Sequence, residues 1–557
     1  MALSLLAGNL FHTALCAALA AIAILSWYIF YRLVIYPLYL SPLCDLPGPP
    51  YAFASSPILG SYGDFINKGA LTLNGRWLTQ YGQKVRLIGP LGVERIVFTS
   101  PEALHTILNT EWLNFPKPQF VIELMGFVAG YGLLTTTGKE HRRMRKVLNP
   151  AFSISQLSSQ TYMYHEPIET LVDMLCEQID QEQQSVGNRF STEPVYEWMR
   201  KVTLDIICST AFGYNSNCLR NPQDELAEAY EELVVLQSLD NLFLFGIVLS
   251  IPGIPRLIKT EWAFRYRKLI GLIPGFKPTS IMIGAMHRVR EISAKILKQR
   301  VAEAEAITAE DTSGKNDIMS ILVRARIETL RRQQLSGDSD DSYAMSEAEM
   351  MDQVLNFLGA GHETTAAGLT WTLWLLANSK EWQQRVREEL MPLYEPDENG
   401  IRRGRLGYRQ YQELPCLDRV VNESLRLYPP VPFVSRRCTE TTVVDGVVVQ
   451  EGTYVSMPIQ LLNTLEDVWG EDATQFNPSR WEKLPDNYDS TYSFLSFLTG
   501  PHSCIGKAMA VVELKAVLSA LLVNFEFEPS YSGQTVQAAA LISLRPEDGM
   551  PLRIRRL

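Results

Sequence analysis

Residues 347–378 read as one long helix that is apolar on nearly every face. A helix without a polar face is buried through the middle of a domain, because any exposed side would put apolar area in water. Its start is marked. Ser346 and Glu349 have the spacing of a capping box, in which each side chain takes the other's backbone N–H. The rest of the chain has to supply a core around this rod. With 557 residues, 46% hydrophobic and 20% charged, it has the length and the globular composition to do so.

A second apolar run has a different reading. Residues 13–31 are 19 positions without a charge, roughly 28 Å as a helix and close to one hydrocarbon core. Trp27, Tyr28, Tyr31, Tyr36 and Tyr39 gather at its C-terminal end, where an interfacial aromatic belt sits. No basic residue precedes the run, so the n-region of a cleaved signal peptide is missing. Arg32 flanks its C-terminal end, and the positive-inside rule then places the following domain in the cytosol. A cleaved signal peptide or a core helix is the alternative. Leu46-Pro47-Gly48-Pro49-Pro50 follows as a stiff break. The expected organisation is a membrane anchor and linker over 1–45 and one globular domain over 46–557.

Within that domain, residues 84–98 read as two strands around a Gly/Pro turn, and 101–350 as mostly helical with loops near 114–120, 184–190 and 250–256. Residues 242–255 are unusually apolar for a surface loop; they are either core or dip into the membrane. Residues 336–342 read as a solvated linker. A helix over 417–427 stops at Tyr428-Pro429-Pro430. Residues 441–450 read as a hairpin turning at Asp445-Gly446, and a final helix covers 504–523. With 51 basic against 61 acidic residues the net charge is −10, without the basic excess of a nucleic-acid binder. The eight Cys are scattered with no C-x-x-C, which argues against a structural zinc site or a disulfide framework.

In Phe497-Leu498-Thr499-Gly500-Pro501-His502-Ser503-Cys504-Ile505-Gly506, glycine and proline force a tight loop and Cys504 opens the last helix. A helix start offers free N–H groups and a positive dipole end, and both lower a thiol's pKa. Gly506 lets a flat ligand approach the backbone. A thiolate held this way suits a soft metal, with iron in a haem the obvious candidate. Taken alone, a buried Cys beside a Gly turn is the plainer explanation. Glu423 and Arg426 share a helix face. Ala360-Gly361-His362-Glu363-Thr364-Thr365 puts a Gly, costing ~1 kcal/mol against Ala, beside a Glu that is costly to bury. Two such local faults in one helical turn are expected at a functional site. His141 and Arg145 lie one turn apart on a basic helix.

In this order, these segments resemble the cytochrome P450 family across about residues 46–557. Residues 497–506 resemble its haem-binding loop, with His502 where a basic residue is usual. Glu423-Ser424-Leu425-Arg426 looks like its Glu-x-x-Arg, and Arg480, in Phe476-Asn477-Pro478-Ser479-Arg480-Trp481, like the arginine that completes a buried network. Residues 360–365 resemble its oxygen-activating groove, where the helix opens and an acid–alcohol pair relays protons. His141-x-x-x-Arg145 stands where Trp-x-x-x-Arg is common, and Arg436 matches a further propionate arginine.

The resemblance implies a mainly α fold with small β-sheets, the cytochrome P450 fold, plus one N-terminal transmembrane helix. It implies haem b with Cys504 as its axial thiolate. Phe497, Gly500, His502, Gly506, His141, Arg145 and Arg436 would surround the cofactor. Thr364 would hydrogen-bond activated dioxygen, Glu363 would feed it protons, and Glu423, Arg426 and Arg480 would be structural. Some relatives join haem covalently through an acid where Ala360 stands, so here the haem is expected to be non-covalent.

The reaction implied is insertion of one atom of dioxygen into a lipophilic small molecule, a lipid or secondary metabolite. Electrons would come from NADPH through a flavoprotein reductase, the NADPH-cytochrome reductase of the endoplasmic reticulum, in the style of fungal microsomal members. Candidate substrate walls are residues 120–131, 354–360, 431–434 and 541–543, with Phe120, Phe127, Phe357 and Phe433 making them bulky. Arg142, Arg143 and Lys146, joined by Lys507 and Lys515, would form a cationic docking face for the acidic reductase. The alternatives are a haem-thiolate isomerase or dehydratase that needs no dioxygen, a non-catalytic membrane haem binder, and a haem-free helical membrane protein. Thr364 argues against the first, and the Glu363-Thr364 pair against the second.

Overall fold

Helix α1, Ala2–Phe30, opens the chain and continues in wider turns through Leu40, closed by the Ser41 N–H donating to Tyr36 O at 2.9 Å. Residues Leu15–Leu40 are long and apolar enough to cross a membrane. The computed structural model describes residues 2–50, 77–89, 92–186, 190–221, 223–236, 239–251, 253–306, 316–336, 343–540 and 543–557. Part of the turn at Pro90, most of the 336–342 linker, and Leu541 and Ile542 of the fourth substrate wall lie outside these residues.

The helices that position the site are α2 Gln119–Ala129, α3 Gly138–Leu148, α4 Val195–Phe212, α5 Glu225–Val235, α6 Glu347–Ala377, α7 Pro415–Leu427 and α8 Lys507–Asn524. The strands are β1 Lys84–Ile88, β2 Glu94–Phe98, β3 Ser191–Pro194, β4 Val434–Arg437, β5 Tyr454–Met457, β6 Phe525–Pro529 and β7 Pro551–Arg556. Two compact units result. One is Met1–Pro116 with Phe433–Leu461, the other Lys117–Pro432 with Leu462–Leu557.

The smaller unit is built on a sheet in the order β1-β2-β5-β4, antiparallel except for β2 beside β5. Val85 and Leu87 of β1 point the same way and pack with Trp77 and Val97, as the period of two requires. Glu94 binds the chain that follows α1. Its Oε1 takes Arg86 Nε at 2.8 Å and its Oε2 takes Ser41 Oγ at 2.6 Å, while Arg86 also donates to Pro37 O. The expected hairpin pairs Thr442–Val444 with Val447–Val449. Asp445 (φ 47°) and Gly446 (φ 76°) at its tip have the two positive φ values of a type I′ turn.

In the larger unit, α6 starts at the capping box read from the sequence, with Ser346 N–H on Glu349 Oε2 at 2.7 Å and Glu349 N–H on Ser346 Oγ at 3.2 Å. It is the buried axis, packed most extensively on α4. Gly361 has a packing reason, since a Cβ there would meet Ile207 Cδ1 at 2.8 Å. Trp371, 1% exposed, is held by Nε1 donating to Leu544 O at 2.7 Å. A second sheet runs β6-β7-β3. Residues 239–250 form a helix rather than a loop, with Phe245, Val248 and Leu249 buried.

Candidate active site around Cys504

The loop over residues 497–506 is closed on itself. The Cys504 N–H donates to Phe497 O at 2.8 Å, and Gly500 turns the chain at φ 74°, where glycine alone is unstrained. Helix α8 begins at Lys507, three residues later than the sequence suggested, because Gly506 is its N-cap. Cys504 therefore precedes the helix, though the Gly506 N–H still donates to its sulfur. The expected lowering of the thiol's pKa is overturned. Burial pushes it up, and the Gly506 N–H, Arg145 and Lys507 only partly pull it back. Metal binding removes that obstacle, since a coordinated thiol gives up its proton.

Cys504 is hemmed in by protein yet keeps exposed surface of its own, as a side chain at the wall of an internal void does. Two further positions border open space. Off Gly506 a Cβ would meet nothing closer than Phe152 Cε1 at 4.0 Å. In the middle of the otherwise buried α6, Ala360 is exposed and Thr364 half-buried. α6 packs on α8, with Gly368 facing Leu514. An accessible sulfur, open space beside a glycine and a bared turn of helix fit a flat, metal-bearing cofactor.

Arg145, expected beside the cofactor, binds the cysteine loop itself. Its Nη1 donates to Pro501 O (3.0 Å) and Ser503 O (2.6 Å), and its Nη2 to Ser503 Oγ (3.2 Å). The carbonyls of the turn converge on α3 and capture the guanidinium, so Arg145 clamps the loop that carries the cysteine. His141, one turn earlier, is buried with its ring 4.2 Å from that of His502. Burial, then the charges of Lys117 and Arg145, hold its pKa down at about 4, so it is neutral at physiological pH. Arg436 belongs to the smaller unit. It is 3% exposed, with Nη1 on Ser435 O and Nη2 without a partner among the described residues, and burial pulls its pKa down to about 10. A buried guanidinium so placed is one that an external anion satisfies.

On α6, Glu363 is buried and accepts from Tyr196 Oη at 3.4 Å. The helix does not open here. It runs unbroken, and three successive carbonyls each take a hydroxyl: Ala360 O from Thr364 (2.7 Å), Gly361 O from Thr365 (2.9 Å) and His362 O from Thr203 on α4 (3.0 Å). Hydroxyl back-bonding of this kind competes with the helical ladder and bends helices.

Glu423, Arg426 and Arg480 come together. Glu423 Oε2 and Oε1 take Arg426 Nε and Nη2, each at 2.8 Å, and Oε1 takes Arg480 Nε at 2.9 Å. The Trp481 indole N–H, the Asn477 N–H and Asp472, which pairs with Arg480, complete the set. From Arg426 the network continues to the cysteine loop. Arg426 Nη1 donates to Asn463 O, while the Asn463 side chain takes the Leu495 N–H (2.8 Å) and donates to Ser496 Oγ (2.9 Å).

A sequence model of the cytochrome P450 family matches residues 47–550. The chain is a cytochrome P450. Cytochrome P450 monooxygenase sphH of Aspergillus fumigatus is 28% identical over 93% of this chain and 89% of its own length. Cytochrome P450 monooxygenase 205 of Postia placenta is 29% identical over 91% and 90%. A ganoderic acid synthetase of Ganoderma lucidum is 28% identical over 92% of each. This P450 departs from the sequence reading at one further place. Lys515 is 1% exposed and holds Tyr411 O and Asp418, both at 2.9 Å, so it is no part of a docking face; Arg142, Arg143, Lys146 and Lys507 are exposed. Phe357 is buried edge-on against Phe152, with centroids 5.5 Å apart.

Tyr196, Asn463, Asp472, Gln353 and Asn356 went unread in the sequence. The last two take the Leu133 and Leu134 N–H groups at 3.1 and 2.8 Å and fix the chain after α2. Their only signal is that they are polar residues inside an apolar helix.

Proposed function

We propose that this protein is a membrane-anchored monooxygenase that holds haem b through Cys504 and inserts one atom of dioxygen into a lipophilic small molecule. The observation that carries the proposal is an exposed Cys504 two residues from the open space beside Gly506, on a loop pinned by Arg145 and by the Glu423 network. A haem bound there would bring dioxygen activation and thiolate-driven O–O cleavage.

The chain's own residues do the remaining work. The Gly506 N–H at the sulfur and the charges of Arg145 and Lys507 favour the thiolate. Arg436, with one nitrogen unpartnered among the described residues, could receive an anion such as a carboxylate, and in the larger unit His141 and His502 would flank the cofactor. Phe497 O and Gly500 keep the loop that would carry the cofactor shut. The Thr364 hydroxyl donates to Ala360 O and keeps lone pairs with which to receive a proton, and Glu363 supplies one. Residues 120–131 and 354–360 would exclude water and suit an apolar substrate. One relative is named for making a ganoderic acid, which favours a secondary metabolite over a bulk lipid.

Electrons come from NADPH through a flavoprotein reductase that docks on Arg142, Arg143, Lys146 and Lys507. Residues 1–45 anchor the protein in the endoplasmic reticulum with the catalytic domain, 46–557, in the cytosol. The test is a difference spectrum of the reduced, carbon-monoxide-treated protein in membranes. The strongly red-shifted Soret band of a thiolate-ligated haem is expected. A band at the unshifted position overturns the Cys504 assignment, and no band overturns the haem.

A further inference from the structure

Between the helix His165–Val186, the strand pair Glu395–Pro396 with Arg402–Arg403, and α8, the larger unit has a solvent-open recess of about 310 Å³. None of the residues assigned to the cofactor or the substrate lines it. Ile168 and Val172 supply apolar wall from one helix, and Ala516 and Ala520 from α8. Tyr394 and Tyr411, hydrogen-bonded to each other and both buried, line it too. The Arg402 main chain is held from both sides by Asn524 of α8. Asn524 Oδ1 takes the Arg402 N–H at 2.7 Å, and its Nδ2 donates to Arg402 O at 3.0 Å. Around the recess, charges of both signs meet. Arg403 pairs with Asp173 and Asp397, and Arg405 with Glu169 through two bonds of 2.9 Å. Two arginines thus answer all three carboxylates. Arg402 pairs with no carboxylate among the described residues; its Nη1 donates to Tyr394 O at 3.2 Å. His165 is 7% exposed and lines the same recess, and its ring has no hydrogen-bond partner among the described residues. A buried ring left unpaired is costly, and a guanidinium without a carboxylate is a ready oxyanion partner. A recess of this size with apolar walls and a few convergent polar groups has the make-up of a small-molecule site.

We propose that this recess binds a small organic anion, a carboxylate or phosphate on a compact apolar body, its oxyanion held by Arg402 and His165 and its body laid against Ile168, Val172, Ala516 and Ala520. The site is separate from the one around Cys504 and does not depend on haem. The carboxylates nearby are already engaged, so the anion competes with none of them for Arg402. His165 adds a pH dependence. Burial lowers its pKa, with Glu169 pulling it up and Arg405 pushing it down, so the ring is neutral at physiological pH. Arg402, Arg403, Tyr394 and Tyr411 are the other polar groups that line the recess with His165 and Glu169. A bound oxyanion favours the imidazolium over the neutral ring. Binding therefore takes up a proton, and affinity rises as pH falls.

The test is the unfolding midpoint of the full chain in detergent, measured against benzoate at fixed ionic strength. A ligand of the native state alone raises that midpoint by mass action. Benzamide is the uncharged control. A rise with benzoate is expected, with at least about tenfold more benzamide needed for the same rise. In Arg402→Gln the half-saturating benzoate concentration should increase about tenfold. In the wild type it should fall about threefold or more between about pH 7.5 and about pH 5.5, and His165→Gln should flatten that trend. No rise in the wild type, an equal rise with benzamide, or an unchanged half-saturating concentration in Arg402→Gln overturns the proposal. A crystal structure of the wild-type chain with benzoate tests it without a variant. The carboxylate is expected within hydrogen-bond distance of the Arg402 guanidinium and the His165 ring, and an empty recess overturns the site. The midpoint is read without haem, so a missing carbon monoxide band overturns the Cys504 reading and leaves this one to its own result.

Discussion

Glu423→Gln is the most telling single change. Glu423 is fully buried and takes five hydrogen bonds, two from Arg426 and one each from Arg480, Trp481 and Asn477. Two carboxylates, Glu423 and Asp472, balance two guanidiniums, Arg426 and Arg480. Glutamine removes one negative charge and turns an amide donor toward groups that are themselves donors. Losing one partner of a buried ion pair costs about 3–5 kcal/mol. The native state lies only about 5–15 kcal/mol below the unfolded one in free energy. The variant should therefore unfold at markedly lower urea and load little haem, because Arg426 also holds Asn463 and, through it, the strand of loop before Cys504. The control is Glu482→Gln, which breaks the half-exposed Arg419–Glu482 pair at 2.6 Å and should cost under about 1 kcal/mol. Urea unfolding, followed by the carbon monoxide band and by tryptophan fluorescence, measures both. Equal midpoints for the two variants would refute the structural role of Glu423.

Cys504→Ser should abolish the red-shifted band, and a variant that keeps it would sink the ligand assignment. Thr364→Ala should bind haem normally yet divert reducing equivalents to hydrogen peroxide; full coupling with substrate would remove its proton role. His141 gives a pH signature. Its folded pKa of about 4 lies below the free value of about 6.5, so the unfolded chain takes the proton first. The stability it contributes is present above pH ~6.5 and is lost as pH falls toward 4, by roughly 1–2 kcal/mol after solvent screening. His141→Phe should flatten that slope in urea midpoints measured against pH, and identical slopes would show that another group titrates.

The parts of the site that were legible are local. Cys504, Gly500 and Gly506 sit within one loop, Glu423 and Arg426 within one turn, and Ser346 with Glu349 at one cap, so spacing alone expresses their geometry. Partners brought in by the fold were invisible. Asp472 and Asn463 are ordinary polar residues until the chain lays them against Arg480 and Arg426. Lys515 looks solvated in sequence because nothing near it shows that Tyr411 and Asp418 will cover it. β3 was missed because Ser-Thr-Glu-Pro has no apolar alternation; its pairing comes from β7. Gly361 was read as a functional fault, and the reason lies across the helix interface at Ile207. Burial likewise outweighed the helix start at Cys504, a contest that spacing cannot judge.

The tie between Glu94, Arg86 and the chain after α1 bears on how this protein is made in soluble form. A truncation that begins at the Pro47 break removes the natural neighbours of a half-buried ion pair: Pro37 O, which Arg86 uses, and Ser41 Oγ, which Glu94 uses. It also removes Leu33 and Leu43, both buried. A cut just ahead of Tyr31 sheds the exposed apolar length of α1 and keeps this collar on the sheet. The two shortened forms should differ in yield and monodispersity, although neither retains the exposed length of α1.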